Sequence, residues 1–223
     1  IAPQISGYRK LAFFSVSLDD TFIKWNVDGE ISLVGGEPLL YPYFSRLLYE
    51  IRKTSSVPKI AILTNGTVMN DKIKAAILDT TPAIQISIDG INEEKHDFIR
   101  GKGNFKKSID SIKWYVCHGI DVFVHYVISK NSVPINKDFI MYMNSLGVKQ
   151  ITFSRVVPIG SSDESVMLNP NELHTVFDKL NNYSLQLPEN EMTINTTRPL
   201  WENGKMSCRY SNYNYFTKWS CFA

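Results

Sequence analysis

Short apolar runs and amphipathic stretches take turns along this chain, and their alternation predicts its architecture. The runs Lys10 to Ser17, Ile31 to Val34, Val57 to Leu63, Ala83 to Ile88, Ile120 to Ile128 and Val148 to Val157 are rich in β-branched and aromatic residues and end in turn-forming residues. They predict six strands. Between them, Phe44, Leu47, Leu48 and Ile51 recur at i, i+3, i+4 and i+7, the spacing of one apolar helix face. Further helices are predicted from about Asn70 to Leu78, over the face Phe105, Ile109, Ile112 and Val116 with Asn104 as cap, and from Asn136 to Leu146. Asn169-Pro170-Asn171-Glu172 reads as a helix start, with Pro at the first helical position, leading to about Leu180. Strands about 25 to 40 residues apart with helices between them argue for repeated βα units on a parallel sheet. Ile1 to Gly7 read as an irregular lead-in. Beyond Asn181 the pattern breaks into Asn, Pro and aromatic residues, which divides the chain into residues 1–180 and a small appended region, 181–223.

Composition narrows the function classes without choosing one. A length of 223 residues suits one sizeable core. The net charge of +2 comes from scattered basic residues, so no nucleic-acid footprint is expected. No apolar run approaches the roughly 18 residues of a membrane span, and Ile1-Ala2-Pro3-Gln4 does not look like a signal peptide. A cytoplasmic protein with neither membrane nor nucleic-acid partner is the expectation. Cys117, Cys208 and Cys221 are too few, and odd in number, for a disulfide framework.

Turn chemistry collects at the carboxyl ends of the predicted strands: Gly35-Gly36-Glu37-Pro38, Thr64-Asn65-Gly66 and Ser87-Ile88-Asp89-Gly90. In parallel sheets that rim is where ligands bind. Glycines there allow another molecule close to the backbone, and Glu37 can accept charge-assisted hydrogen bonds from a ligand ammonium. Pro38 fixes the exit direction.

With those residues in place the chain resembles the radical SAM enzymes, in the branch that carries a C-terminal SPASM or twitch extension. The likeness covers Lys10 to about Leu180. It rests on Gly35-Gly36-Glu37-Pro38, Leu63-Thr64-Asn65-Gly66, Ile86-Ser87-Ile88-Asp89-Gly90, His96 to Phe105, and Phe153-Ser154-Arg155-Val156-Val157-Pro158-Ile159-Gly160. The resemblance implies a partial (β/α)6, TIM-like barrel holding a [4Fe-4S] cluster and S-adenosylmethionine, which is cleaved reductively to a 5′-deoxyadenosyl radical. It further implies that Glu37, with Gly35, Gly36 and Pro38, holds the methionine ammonium, and that Ser87 and Asp89 lie near the ribose or the carboxylate. Asn65 and Arg100 would belong to the same polar surround, and Val127, Ile128 and Val157 would sit near the adenine. The implied activity is oxidative or crosslinking modification of a peptide or protein substrate, fed by flavodoxin or ferredoxin. Formylglycine formation in sulfatases and a cluster-free barrel that binds a peptide or nucleotide are the alternatives.

One departure is large. The family's Cys-x-x-x-Cys-x-x-Cys loop, which gives each of three irons a thiolate, is absent between Ser17 and Gly35. The Leu18 to Glu30 connection is also too short for a parallel crossover that bears both a loop and a helix. Both observations point to a segment of the natural chain after about Ser17 that this sequence lacks. Cys208 and Cys221 fall where the resemblance places ligands of an auxiliary iron–sulfur cluster, with two free thiols as the alternative. Cys117 reads as core filler, His118 and His174 as surface or cap residues, and His96-Asp97 as a local turn in a loop. His125 reads as a satisfied core histidine or as a barrel-facing substrate contact. The aromatic stretch Tyr210 to Phe216 suits either a peptide groove or packing on the barrel.

Overall fold

The computed structural model describes residues 4–6, 30–53, 59–156, 164–188, 191–197, 200–202 and 205–207. Strands β2 (Glu30–Val34), β3 (Lys59–Thr64), β4 (Ala83–Ser87), β5 (Val122–Ile128), β6 (Gln150–Arg155) and β7 (Thr193–Thr196) lie side by side in chain order, and each pair is parallel. β1 (Gln4–Ser6) adds to the β2 edge in antiparallel sense, within a stretch the sequence pattern reads as irregular. Helices α1 (Phe44–Lys53), α2 (Asp71–Thr80), α3 (Glu93–Arg100), α4 (Asn104–Cys117), α5 (Lys137–Ser145) and α6 (Pro170–Ser184) fill the crossovers. This is the partial (β/α) barrel expected, with six parallel strands. They are not the same six, however. Lys10 to Ser17 lies outside the described residues, and β7 supplies a parallel strand beyond Leu180. Only Met192 and Ile194 mark β7 as half-apolar, too short an alternation to stand out against its polar neighbours. A separate hairpin, β8 (Leu200–Glu202) and β9 (Lys205–Ser207), follows.

Packing sorts the two faces of the sheet. Ile31, Leu33, Ile60, Ile62, Ile84, Ile86, Val124, Tyr126, Ile151 and Phe153 alternate along their strands and form one buried layer. Tyr126 in that layer stacks edge-on against Phe139 of α5, with ring centroids 5.5 Å apart, so this is the helix-covered face. Phe44, Leu47, Leu48 and Ile51 of α1 are all buried there, as their spacing predicts, and each contributes about 1.5–3 kcal/mol. Caps close the helices: Asn70 on α2, Asn136 on α5 and a full capping box between Asn169 and Glu172 on α6.

Three expectations change. Asn104 is the first residue of α4 rather than its cap. Gly103, in the left-handed region at φ 76°, is the cap, and the Asn104 side chain donates instead to the Arg100 carbonyl. Cys117 is exposed at the end of α4, not core, because the helix buries Ser108, Ile109, Ser111, Ile112 and Tyr115 instead. His96 sits not in a loop but inside α3, where it is the one buried residue. A helix that buries a single histidine has no apolar stripe to read. Its signature lies in the Asn92 cap, Glu93 and Glu94 in the first turn, and Arg100 in the last. Gly90 explains how α3 comes so close to the sheet, since a Cβ there would lie 2.1 Å from the His96 amide nitrogen.

Candidate functional site

The carboxyl ends of β2 to β5 form the rim, and two acidic side chains organise it. Glu37 follows Gly35-Gly36 and caps a single 3-10 turn, Pro38–Leu40. Its Oε1 accepts from the Leu39 amide at 3.1 Å and from the Thr64 hydroxyl at 2.6 Å, and its Oε2 accepts from the Asn65 amide at 2.8 Å. The carboxylate thus ties the end of β2 to the end of β3. Among the described residues every donor is neutral, and a carboxylate has about four acceptor positions, so these bonds leave one on Oε2. A Cβ on Gly36 would meet nothing within 4 Å, so the backbone beside that carboxylate is open. The next turn is tight for a different reason. Gly66 takes φ 73°, and a Cβ there would press on Ile86 and on the Ser108 backbone at 3.1–3.2 Å.

Asp89 makes the contrasting arrangement. It is 5% exposed, accepts from Arg100 Nε at 2.5 Å on Oδ2, and accepts from the Val127 amide at 2.9 Å on Oδ1. Its own amide donates to His96 Nδ1 at 3.2 Å. One carboxylate thus pins α3 and the β5 backbone to the end of β4. Behind it, Asp97 accepts from the amides of Gly103 and Phe105, and the Phe105 amide foremost holds its carboxyl below the usual carboxylate range.

The inner face of the sheet, opposite the helices, is polar near this rim. Register places Ser87, His125, Thr152 and Asn195 in one row across four strands, all half-buried. His125 Nε2 lies 2.8 Å from the Ser154 hydroxyl. Burial, opposed by Asp89 and reinforced by Arg100, holds its imidazole below the ordinary histidine value, so the ring is neutral near pH 7. His125 is therefore both satisfied and on the inner face. Val127 shares that face. Ile128 does not, because adjacent strand residues point to opposite sides, and it lies in the buried layer. Thr152 and Asn195 escaped the sequence reading, and only the strand register reveals them.

The structure thus brings together Gly35, Gly36, Glu37, Pro38 and Asn65 at the ends of β2 and β3, and Ser87, Asp89, Arg100 and Val127 at the ends of β4 and β5. Val157, Cys208 and Cys221 lie outside the described residues. Among the described residues no group of His, Cys, Asp and Glu could hold a metal ion, and no helix is long and apolar enough to cross a membrane.

Residues 20–133 match the Radical SAM superfamily. This chain belongs to that superfamily. It is 32% identical over 170 residues to the antilisterial bacteriocin subtilosin biosynthesis protein AlbA of Bacillus subtilis, covering 74% of this chain and 37% of AlbA. It is 26% identical over 153 residues to a GTP 3′,8-cyclase of Clostridium perfringens, covering 67% of this chain and 46% of the cyclase. In fold it is similar to Streptococcus suis SuiB, with TM-score 0.63 and 15% identity over 75% of this chain and 39% of SuiB. SuiB is also known bound to the precursor peptide SuiA. The chain spans less than two thirds of the length of these relatives.

For a radical SAM protein the cofactor and the cluster pose separate questions of fit. The free acceptor position on Glu37 beside open Gly36 backbone suits the ammonium of S-adenosylmethionine. The cysteines do not suit the cluster, because positions 117, 208 and 221 contain no Cys-x-x-x-Cys-x-x-Cys.

Proposed function

We propose that this chain is the cofactor-binding core of an enzyme that reductively cleaves S-adenosylmethionine to a 5′-deoxyadenosyl radical and uses it to modify a peptide, by crosslinking or oxidation during maturation. The observation that carries the cofactor half is Glu37, a carboxylate at the strand rim that among the described residues faces only neutral donors and keeps one acceptor position free. It accepts a hydrogen bond from the ammonium of the methionine part, Gly35 and Gly36 admit that group to the backbone, and Asn65 closes the polar surround. Ser87 lies near the ribose, and Val127, with Val157, near the adenine. The polar row His125, Thr152 and Asn195 faces the substrate. A [4Fe-4S] cluster, held by thiolates that we place in a segment of the natural chain after about Ser17, would supply the reducing electron, with flavodoxin or ferredoxin as donor. We assign Cys208 and Cys221 to an auxiliary cluster in a SPASM- or twitch-like region that follows β7, the strand Thr193–Thr196 that completes the parallel sheet.

The peptide half rests on similarity to AlbA, a protein of bacteriocin biosynthesis, and is supported by likeness in fold to peptide-bound SuiB. A nucleotide substrate is the second reading, favoured by the GTP 3′,8-cyclase relative. The test is anaerobic reconstitution of the full-length protein with iron and sulfide. Under a chemical reductant it should release 5′-deoxyadenosine and methionine in equal amounts, and a precursor peptide, not GTP, should raise that yield. A colourless product that leaves S-adenosylmethionine intact would support a cluster-free binding barrel instead.

A further inference from the structure

Glu37 is held from the end of β3, and the turn that ends β3 is itself held from α4. Ser108 and Ser111 of α4 are 0% and 6% exposed and lie three positions apart on one helix face. Alanine would fill either place with better helix propensity and no polar group to satisfy, so these buried hydroxyls call for partners. They find them in the turn. Ser108 Oγ donates to the Asn65 carbonyl at 2.7 Å, and Ser111 Oγ donates to the Gly66 carbonyl at 2.7 Å. Neither carbonyl takes another hydrogen bond among the described residues. Ser108 Oγ also lies 2.9 Å from the Asn104 carbonyl, but that group opens α4 and already serves the helix ladder, so the one hydroxyl hydrogen is needed at the turn. Shape confines the contact. A Cβ on Gly66 would lie 3.2 Å from Ser108 Cα, so the turn rests directly on the helix.

From the two serines, two hydrogen-bond relays run to Glu37, one to each oxygen. Ser111 holds Gly66, whose amide donates to Thr64 Oγ1 at 3.0 Å, and the Thr64 hydroxyl donates to Oε1. Ser108 holds Asn65, whose amide donates to Oε2. The two ends differ. Oε1 has two donors, the Leu39 amide and the Thr64 hydroxyl, and is full, whereas Oε2 has the Asn65 amide alone and keeps the open position. A turn of the Asn65 backbone therefore redirects the open position, while a shift of Thr64 acts on the closed side.

We propose that Ser108 is a positioning residue for the open oxygen of Glu37, acting through Asn65, and that Ser111, with an equal bond to the next carbonyl of the same turn, is a support only. Ser108 touches no ligand. It sets the direction in which Oε2 meets one, because the Asn65 amide is the sole donor that fixes that oxygen among the described residues. That the ligand is the ammonium of S-adenosylmethionine rests on the function proposed above, whereas the relay from Ser108 to Oε2 does not.

A merely structural role would make the two serines alike. Ser108→Ala and Ser111→Ala, made in the reconstituted, full-length protein, each take one buried hydroxyl from one carbonyl at the same 2.7 Å, so the structural loss is matched. Calorimetric affinity for S-adenosylmethionine should fall about fivefold or more in Ser108→Ala and change by less than about twofold in Ser111→Ala. Hydrogen–deuterium exchange, read residue by residue by mass spectrometry, needs no ligand. The Asn65 amide should exchange about tenfold faster in Ser108→Ala and less than about threefold faster in Ser111→Ala. If Ser108→Ala does not fold, Ser108→Cys and Ser111→Cys take the place of the alanine pair, with a weaker donor at nearly the same size, and the same order between the two positions is expected. Equal changes at the two positions, or unchanged affinity and unchanged Asn65 exchange in the Ser108 variant, would make Ser108 a support like Ser111 and overturn the proposal. If S-adenosylmethionine does not bind the parent, or binds Glu37→Gln as tightly as the parent, the function proposed above fails, and exchange at Asn65 alone decides the relay.

Discussion

Glu37 and Asp89 occupy equivalent places, each just past the carboxyl end of a parallel strand, yet they do opposite work. Asp89 is buried, paired with Arg100 and bonded to the Val127 amide, so its charge is consumed within the protein. Glu37 is half-buried and meets only two amides and a hydroxyl, so its negative charge has no cationic partner among those bonds. The first staples α3 to the sheet. The second ties the end of β2 to the end of β3 through neutral donors. Position on a strand rim therefore marks where a site can be, and only the partners of a carboxylate tell whether it binds or braces.

The contrast can be broken most forcefully at the staple. Asp89→Asn leaves Arg100 Nε facing an amide nitrogen or an unpaired oxygen, and breaking a buried pair costs 3–5 kcal/mol. With the Arg100 side chain 28% exposed, about 3 kcal/mol is expected, measured as a fall in urea midpoint at unchanged slope. Gly90→Ala attacks the same staple through shape, because its Cβ would overlap the α3 backbone. A loss of about 2–3 kcal/mol and faster amide exchange along α3 are expected.

At Glu37, Thr64→Val removes the 2.6 Å donor to Oε1 and the acceptor of the Gly66 amide while keeping the shape. About 1 kcal/mol of stability should go, with S-adenosylmethionine affinity changed less than threefold, because the free acceptor lies on the other oxygen.

Acidity sharpens the contrast by the smallest amount. His96 and His125 both titrate lower in the folded protein than in the unfolded chain, so below about pH 6.5 the unfolded state binds more protons. Stability should be level from about pH 8 down to that point and decline as acid carries the chain toward the folded values. The decline should be shallower in His96→Asn, read from urea midpoints across the range.

Much of this was legible in the chain. The βα alternation and the α1 face follow from apolar spacing, because those residues are buried for the reason their pattern suggests, and the rim motifs follow from their turn residues. The α3 segment was not legible, since its one buried residue is a histidine and its place depends on Gly90 touching the His96 amide. Nor does sequence distance show that Asp89 pairs with Arg100 eleven positions later. Thr152 and Asn195 joined the polar row only through register, and β7 through pairing that Met192 and Ile194 alone could not announce.

The division of labour between the two carboxylates is tested most directly by Glu37→Gln, with calorimetric affinity for S-adenosylmethionine and the urea midpoint measured on the same reconstituted, full-length preparation. The account predicts at least a tenfold loss of affinity with a stability loss of only about 1–2 kcal/mol, the reverse of the balance at Asp89. Unchanged affinity together with a large loss of stability would make Glu37 a brace like Asp89 and contradict it.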